Sequence, residues 1–299
     1  MKLRLILFYI YLLSAATVPV TAQNKILVFQ TDFGLKDGAV AAMKGVAVSV
    51  SPQLALYDLT HEIPPYNIWE AAYRLYQTAP YWPVGTVFVS VVDPGVGSER
   101  KSVVVKTRTG HYFVGPDNGQ FTLIAESMGI AAVYEINEAV NRRKDSKASY
   151  TFHGRDVYAY TGARLAAGII KETAIGKKLP NAVIRINYQK PVYEDGQIRG
   201  NIPILDIQYG NIWTNVDTAT FNQLGVQPGK SIKVTILHKD ESVYTGSMPY
   251  VSTFSAVAEG QPLAYLNSLL QLSFALNMDS FAEKNKIGSG PEWTVILSK

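Results

Sequence analysis

The 299-residue sequence contains no cysteine and only four histidines. The lack of cysteine excludes disulfide bonds, thiolate catalysis and every metal site that is built on cysteine. None of the histidines has the close spacing that is typical of zinc ligands. They are His61, His111, His153 and His238. We therefore expect a protein that holds no metal.

Charged residues are also few, at 17% of the chain, and they leave a formal net charge of +4. This balance is too weak to predict binding to nucleic acid or to an acidic membrane. Hydrophobic residues make up 47% of the chain, which suits one large domain or two modest ones with cores of their own. No segment is long and polar enough to indicate disorder.

Residues 1–22 have the order of a secretory signal peptide. The basic segment MKLR precedes the apolar run LILFYIYLLSAATV, and the small residues of VTA follow. The apolar run is short for a membrane span, so we expect cleavage after Ala22 and export to the periplasm or the medium. The alternative is a retained membrane anchor. No cysteine follows the run, which excludes a lipoprotein anchor.

The mature chain divides into two patterns. From Lys25 to about Tyr188, apolar strands such as KILVFQTDFG and GTVFVSVVD alternate with helical segments such as YNIWEAAYRLYQTA. This alternation predicts an N-terminal α/β domain, residues 23–189, with a mainly parallel sheet covered on both faces. Short strands and turns follow, and they predict a smaller antiparallel C-terminal β domain or barrel, residues 190–299.

Three acids lie at or near the carboxyl ends of the predicted strands, where open parallel sheets bind ligands. They are Asp32, Asp58 and Asp93. Each could simply cap a helix or form a turn. Glycine turns follow Asp32 and Asp93 directly, however, and such turns allow the backbone to approach a ligand closely.

The stretch VSVVDPGVGSER, residues 89–100, places Arg100 seven residues after Asp93. It is not a phosphate-binding loop, because no Gly-Lys-Ser/Thr follows. From this stretch alone, a plain ion pair across the turn and a functional pair are both open. His153, in TFHGRD before a predicted helix, is either a titratable functional group or a cap or core residue.

Seven motifs in the chain resemble, in the same order, those of the S-adenosylmethionine (SAM) hydroxide adenosyltransferases. These enzymes are also called SAM hydrolases and are relatives of fluorinase and chlorinase. The motifs are QTDFG, THEIPP, VVDPGVGSER, FVGPDNG, FHGRD, GNIWTN and TFSAVAEG…LAYLNS. The resemblance covers residues 25–299. It implies a two-domain fold, a homotrimer with sites between subunits, and no cofactor, since SAM is the substrate.

The resemblance also implies site residues. The water-activating triad of the family corresponds to Asp93, Arg100 and His153. Other positions correspond to contacts with the ribose, the adenine and the methionine. These are Asp32 for the ribose hydroxyls, Tyr66 beside the ribose and sulfonium, Asn211, Phe254, Asn277 and Met278 for adenine, and Asp206 and Ser268 for the methionine end. Trp213 lies near this site, with a core role equally open.

Some positions depart from the relatives. The halogenases have Tyr and Thr where this chain has Asp93 and Val96, and they carry an insertion before the segment that corresponds to FVGPDNG. Hydrolysis is therefore favoured over halogenation. Leu269 replaces the fluorinase arginine that binds the methionine carboxylate. An exported nucleoside- or SAM-binding protein without turnover is the alternative, and the sequence does not decide which sulfonium epimer of SAM is used.

Overall fold

The computed structural model describes residues 24–299. The predicted signal peptide lies outside these residues. Within the described part of the chain, no helix is long and apolar enough to cross a membrane.

Seven strands of the N-terminal half form one mixed sheet. They are β1 (Ile26–Thr31), β2 (Ala55–Thr60), β3 (Val87–Val91), β4 (Ser102–Thr107), β5 (Tyr112–Pro116), β6 (Ile130–Glu135) and β7 (Lys178–Leu179). Their order is β2-β1-β3-β5-β4-β6-β7. The pairs β1–β2, β1–β3 and β3–β5 are parallel, and the pairs β4–β5, β4–β6 and β6–β7 are antiparallel.

The expectation of a mainly parallel sheet is thus only partly right. The predicted hairpin explains the difference, because the short turn between β4 and β5 leaves no room for the crossover that parallel strands need. Gly110 adopts a φ of +86° in this turn, and the Thr107 amide donates to the His111 carbonyl at 2.9 Å.

Helices cover both faces of this sheet, as predicted. The α-helices of residues 24–299 are α1 (Ala39–Val50), α2 (Ile68–Thr78), α3 (Thr122–Ser127), α4 (Glu138–Asn141), α5 (Tyr160–Ala166), α6 (Thr218–Asn222) and α7 (Phe281–Asn285). Leu27 and Phe29 pack in the same core cluster as residues of α1 and α5. Val28, which lies between them on β1, packs with residues of α2 and α3. This alternation follows from the two-residue period of a strand.

The C-terminal half contains two antiparallel sheets around a shared core. Its strands are β8 (Val192–Glu194), β9 (Gln197–Ile202), β10 (Ile204–Asp206), β11 (Asn211–Asp217), β12 (Ser231–His238), β13 (Glu241–Pro249), β14 (Pro262–Leu266), β15 (Gln271–Leu276) and β16 (Gly290–Ser298). The sheet orders are β10-β11-β15-β14 and β13-β12-β16-β9-β8. The antiparallel character is as expected, and the barrel-like closure stays a prediction.

The predicted boundary at residues 189 and 190 falls between the two groups of strands, and the domain division itself stays a prediction. Helix α2 connects the halves. The Trp69 indole donates to the Pro203 carbonyl at 2.9 Å, and the Tyr73 hydroxyl donates to the Gln271 side chain at 2.9 Å. The two halves of one chain therefore pack against each other through α2.

Parallel alignment gathers polar residues at one edge of the mixed sheet. Strands β1, β2, β3 and β5 point the same way, so the residues that follow them meet at their carboxyl ends. Those residues include Asp32, His61, Asp93 and Asp117.

Candidate active site

Asp93 and Arg100 form a buried, two-pronged ion pair. Arg100 Nε donates to Asp93 Oδ1 at 2.8 Å, and Arg100 Nη2 donates to Asp93 Oδ2 at 2.6 Å. Both side chains are about nine-tenths buried or more. The turn between them contains Gly97 at a φ of +81°, a conformation that a side chain would strain. Burial alone would lower the pKa of Arg100, but its bonds to Asp93 raise that pKa above the usual value.

Two buried hydroxyls support this ion pair. Arg100 Nη1 donates to Ser102 Oγ at 3.1 Å, and Ser102 Oγ lies 3.1 Å from the hydroxyl of Tyr158. The Tyr158 hydroxyl lies 3.5 Å from Asp93 Oδ2. Burial, followed by the charge of Asp93, raises the pKa of Tyr158, so this phenol stays protonated and can donate. The guanidinium is therefore fixed by the carboxylate and by Ser102.

Close packing places His153 beside the end of β3. A Cβ on Gly154 would lie 3.2 Å from Val91, and a Cβ on Gly162 would lie 2.5 Å from Val89. Glycine at these positions lets the helical segment approach the sheet. Residues Gly154–Ala159 form a π-helical stretch before α5, whereas the sequence predicted one continuous α-helix. Such stretches occur often at functional sites.

His153 is 5% exposed, and one of its ring nitrogens faces an ion pair between Glu138 of α4 and Arg142, which follows this helix. Arg142 Nη2 lies 2.6 Å from Glu138 Oε2 and 3.2 Å from His153 Nε2. Glu138 Oε1 lies 3.6 Å from the same nitrogen. The interaction with His153 is the largest cause that lowers the pKa of Glu138, and the interaction with Arg142 lowers it further. Together they outweigh the effect of burial and bring this pKa to about 2. Glu138 is therefore ionised at neutral pH.

Asp32 positions the loop that carries Tyr66. Asp32 Oδ2 accepts a hydrogen bond from the Tyr66 amide at 2.9 Å, and Tyr66 has a φ of +68°. Its side chain is 72% exposed. A left-handed conformation at a bulky residue is uncommon and persists only where surrounding contacts enforce it. The Tyr66 ring is thus exposed to solvent, on a backbone that Asp32 fixes.

A second hydrogen-bond network, in which Thr31 and His61 are buried, lies behind Asp32. Thr31 Oγ1 is 2.8 Å from His61 Nδ1, and His61 Nε2 is 3.0 Å from Asp58 Oδ1. Lys44 Nζ donates to Asp58 Oδ2 at 2.6 Å. Asp58 thus holds His61 and Lys44 rather than joining the cavity, which agrees with a structural role for this acid.

A cavity of about 330 Å³ opens between these elements. It brings together four of the five N-terminal residues that the sequence predicts for the site. They are Asp32, Tyr66, Asp93 and His153. Arg100, the fifth, reaches the cavity through its ion pair with Asp93. Aromatic and aliphatic side chains complete the lining, among them Phe33, Phe152 and Val96.

A larger cavity of about 740 Å³ lies in the C-terminal half. It is lined by all six of the C-terminal residues that the sequence predicts. They are Asp206, Asn211, Phe254, Ser268, Asn277 and Met278. Antiparallel pairing places Asp206 opposite Asn211, and Asn211 Nδ2 donates to Asp206 Oδ2 at 3.0 Å. The two cavities share no lining residue.

The β14–β15 turn supplies one side of this larger cavity. Asn267 Oδ1 accepts from the Leu269 amide at 2.9 Å and the Gln271 amide at 3.1 Å, while Asn267 Nδ2 is buried without a protein partner. Leu269 packs in the core cluster with Trp69 and Tyr73. This position is thus apolar and packs against the core.

Two other predicted residues have structural contacts of their own. Asn277 Nδ2 donates to the Val257 carbonyl at 2.8 Å, so this side chain already has a partner. Met278 is 83% exposed and has a φ of +60°. Trp213 both lines the larger cavity and belongs to a core cluster, which leaves room for both of its predicted roles.

The sequence prediction missed the residues that support the smaller cavity. Ser102, Tyr158, Glu138 and Arg142 contact Asp93, Arg100 or His153 directly. The sequence could have indicated Ser102, because it lies two residues after Arg100. Nothing in the sequence indicated Glu138, since it lies fifteen residues before His153 in a helix of only four residues. Within residues 24–299, no group of three or more acidic or histidine side chains could hold a metal ion.

Comparison with known proteins gives one consistent family. The family models of the SAM hydroxide adenosyltransferase N-terminal and C-terminal domains match residues 27–176 and 200–294. An (R)-S-adenosyl-L-methionine hydrolase of Methanocaldococcus jannaschii is 39% identical over 221 residues, which are 72% of this chain and 74% of the relative. The enzyme of the same name from Thermus thermophilus is 33% identical over 85% of this chain and 93% of its own length.

Two further similarities concern the reaction class and the fold. A fluorinase of Actinopolyspora mzabensis is 28% identical over 89% of this chain and 95% of its own length. The crystal structure of an uncharacterized conserved protein from Thermotoga maritima superposes with a TM-score of 0.85 at 32% identity. The match covers 91% of this chain and 100% of that one.

The depressed pKa of Glu138 predicts a specific acid sensitivity. The unfolded carboxyl titrates near 4.5 and the folded one near 2, so its stabilising contribution is complete above pH 4.5 and is lost as the pH falls toward 2. The free energy of unfolding should therefore fall less steeply over this range in Glu138→Gln than in the wild type. Urea unfolding at several pH values measures this slope. Equal slopes would contradict the ion pair.

Proposed function

We propose that this chain splits SAM into adenosine and methionine by attack of water at C5′ of the ribose. The chain belongs to the SAM hydroxide adenosyltransferase family and is a SAM hydrolase. The observation that carries the proposal is the smaller cavity. It gathers Asp32, which resembles the ribose-binding acid, with Asp93 and His153 of the triad-like set.

The chemistry needs little from the protein at the leaving group. The C5′–S bond breaks with its electron pair going to sulfur, so the sulfonium becomes a neutral thioether and requires no general acid. The new C5′–O bond forms from water, which must lose one proton. The protein must therefore hold the water in line with the C5′–S bond and accept its proton.

We propose His153, which lines the smaller cavity, as the proton acceptor. Both oxygens of Asp93 are already bonded to Arg100, which makes this carboxylate a poor acceptor. His153 Nδ1, by contrast, is buried and has no protein partner. The Arg100 charge next to the cavity would stabilise hydroxide character on the attacking oxygen. In this proposal Asp93 orients Arg100, and Arg100 and His153 act on the water.

We propose that the two cavities bind different parts of SAM. In the smaller cavity, Asp32 would accept hydrogen bonds from the ribose hydroxyls. In the larger cavity, Asn211 and Phe254 would contact adenine, together with the backbone at Asn277 and Met278. Asp206 would face the methionine ammonium. Ser268 and the unpartnered amide of Asn267 would bind the carboxylate that an arginine binds in fluorinase.

Separate cavities suggest that a complete site forms between subunits. SAM must contact both cavities at once, and exposed apolar side chains rim each of them. They are Tyr66 and Val96 at the smaller cavity and Ile207, Tyr209, Phe254 and Met278 at the larger one. Contiguous exposed apolar surface is typical of an interface. We therefore propose a homotrimer in which the smaller cavity of one subunit meets the larger cavity of the next.

We propose hydrolysis rather than halogenation, because the two (R)-S-adenosyl-L-methionine hydrolases are 39% and 33% identical to this chain and the fluorinase is 28% identical. The proposed reaction requires no cofactor. We further propose export through residues 1–22, in which case the substrate would be SAM present outside the cytoplasm. The sulfonium epimer is decided by assaying each epimer separately for release of adenosine.

His153→Ala should lower kcat by ~10²–10⁴-fold, because a positioned proton acceptor is lost. The affinity of this variant for adenosine should be unchanged, because His153 does not bind the nucleoside. Asp32→Ala should instead weaken adenosine binding, and Arg100→Lys should be partly active because it keeps the charge without the planar fork.

Chromatographic assay of adenosine release, calorimetric adenosine titration and Tm on the same variants distinguish these effects. A kcat near that of the wild type in His153→Ala would disprove the catalytic role. A binding protein without turnover would show adenosine affinity in the wild type and no adenosine release from either epimer.

Mixing two inactive variants tests the inter-subunit site. His153→Ala damages only the smaller cavity, and Asp206→Ala damages only the larger one. If each site uses one cavity from each of two neighbours, random mixing in equal amounts should restore about a quarter of the sites. The mixture should thus regain activity at limiting SAM after unfolding and refolding together. Two variants that stay as inactive together as they are apart would show that each site lies within one chain.

Asn267→Asp should affect the methionine end alone. The aspartate keeps the oxygen that accepts from the Leu269 and Gln271 amides, but it replaces the buried NH₂ donor with an anionic oxygen. Loss of a hydrogen bond to a charged carboxylate costs ~1.5–3 kcal/mol, so the KM for SAM should rise roughly 10–100-fold. Adenosine affinity, measured by calorimetry, is the internal control. An unchanged KM would remove Asn267 from the substrate site.

A further inference from the structure

We propose that His61 is a positioning residue for Asp32, the acid assigned to the ribose hydroxyls. A series of hydrogen bonds runs from Asp58 through His61 to Thr31 and thereby fixes the turn that follows β1. We refer to these three residues as the His61 network, and none of them lines the smaller cavity. The inference rests on the proposed function, because it concerns how that site holds the ribose.

Asp58 determines which ring nitrogen of His61 carries hydrogen. His61 Nε2 lies 3.0 Å from Asp58 Oδ1, and Lys44 Nζ donates to Asp58 Oδ2 at 2.6 Å. Burial would raise the pKa of Asp58, but the hydrogen bonds to Lys44 and His61 lower it below its usual value. The carboxylate is thus ionised and can only accept, so Nε2 is the donor. In the neutral ring Nδ1 is then an acceptor.

Thr31 carries this constraint to the backbone of the turn. Its hydroxyl has one hydrogen to donate, and Oγ1 lies 2.8 Å from His61 Nδ1. The hydroxyl therefore donates to Nδ1, and a lone pair of Oγ1 accepts from the Phe33 amide at 3.2 Å. Thr31 and His61 are 0% and 3% exposed, so the bond between their side chains lies away from solvent.

The backbone of His61 holds the same turn at a second point. The Gly34 amide donates to the His61 carbonyl at 2.8 Å, and Gly34 has a φ of +66°. The turn is thus bonded to the His61 network on both sides of Asp32, at Thr31 before it and at Phe33 and Gly34 after it. The carboxylate of Asp32 therefore has a defined place at the carboxyl end of β1.

Asp32 and Phe33 transmit this order to the smaller cavity, which both of them line. Asp32 Oδ2 accepts from the Tyr66 amide at 2.9 Å, and the Phe33 ring packs edge-on against Phe152 with 5.8 Å between the ring centroids. A shift of the turn would move the ribose acid, the Tyr66 loop and one aromatic wall together. Because a carboxylate binds two hydroxyls only in a narrow range of geometries, such a shift should weaken ribose binding.

Thr31→Val and Thr31→Ser test the network with small changes of volume. Thr31→Val keeps the shape of the side chain but removes the hydroxyl, which leaves His61 Nδ1 without its donor and the Phe33 amide without its acceptor. We expect the Kd for adenosine to rise ~10-fold, because the contact with the ribose is misplaced. Thr31→Ser loses a buried methyl group but keeps the hydroxyl, so its Kd should stay close to that of the wild type.

Calorimetric titration with adenosine measures the Kd, and thermal unfolding measures the Tm of each variant. Thr31→Ser should lose stability without losing affinity, because only the methyl group is missing. Equal Kd values for Thr31→Val and Thr31→Ser would overturn the proposal, since the hydroxyl would then have no part in placing Asp32.

Two variants of His61 test its own part in the network. In His61→Asn the side-chain oxygen can take the place of Nδ1 and accept from Thr31. His61→Gln can still donate to Asp58 from near the place of Nε2, but it offers no acceptor to Thr31. We therefore expect His61→Asn to bind adenosine more tightly than His61→Gln, and equal affinities or the reverse order would contradict the proposal.

Thr107→Val is the matched control. Thr107 is also buried, at 1% exposure, and its hydroxyl also accepts from a backbone amide, that of His111 at 3.1 Å. It ends β4 beside the turn that leads into β5, at the opposite end of the sheet from the smaller cavity. Loss of this hydroxyl should lower the Tm and leave the Kd for adenosine unchanged. If Thr107→Val weakened adenosine binding as much as Thr31→Val, loss of stability would explain both results and the proposal would be wrong.

Nuclear magnetic resonance tests the direction of the hydrogen bonds without any ligand. In protein labelled with ¹³C and ¹⁵N, the ring of His61 is assigned by correlation with its own backbone amide. We expect hydrogen on Nε2 and none on Nδ1 in the wild type, and in Thr31→Val the Nδ1 signal should move toward that of a ring nitrogen without a hydrogen bond. Hydrogen on Nδ1, or on both nitrogens, would reverse the contact with Thr31 and overturn the proposal.

Failure of this inference and failure of the proposed function give different results. If the wild type bound adenosine but hydrolysed neither epimer of SAM, the proposed hydrolysis would be wrong, while the Thr31 variants would still decide the role of His61. If the wild type hydrolysed SAM and Thr31→Val bound adenosine as tightly as the wild type does, hydrolysis would stand and the positioning role would be wrong.

Discussion

The buried ion pair between Asp93 and Arg100 is the contact on which the arrangement of the smaller cavity depends. Burial of two charges is favourable only when each is fully paired, and here both prongs of the guanidinium are bonded to both carboxylate oxygens. Asp93 follows β3, and Arg100 precedes β4, with β5 between these strands in the sheet. The pair therefore closes the loop over the carboxyl end of β5 and determines where the cavity lies.

Polar groups and small residues cooperate around this pair. Ser102 contacts Arg100 Nη1 and Tyr158 contacts Asp93 Oδ2. The two charged groups are therefore already in place before a substrate binds. Gly154 and Gly162 bring the segment after His153 close to β3. Each glycine costs stability in a helix relative to alanine, by ~1 kcal/mol. This cost is consistent with glycine being retained at both positions because it allows the helical segment to approach β3.

The sequence allowed some of these features to be predicted and concealed others. Asp93 and Arg100 stand out because a charged pair at the end of a buried strand is unusual, and the long motifs placed His153 with them. The antiparallel strand β6 and the short helix α4 did not stand out. EAVNRRKD is typical of a solvated surface segment, and only the fold brings Glu138 to a histidine on another element. Pairing of β4 with β6 is a long-range contact that periodicity cannot reveal.

The separation of the two cavities imposes a final constraint on the proposed chemistry. One water can be held in line with the C5′–S bond, apart from bulk solvent, only when the site is closed on all sides. Neither cavity alone is closed, since Tyr66 at one and Met278 at the other are largely exposed. If the cavities meet between subunits, the same apolar contacts that stabilise the assembly also separate the reacting water from bulk solvent. Assembly and catalysis would then depend on one set of side chains, so a change at the rim would weaken both together, whereas a change at His153 would affect the chemistry and leave the assembly intact.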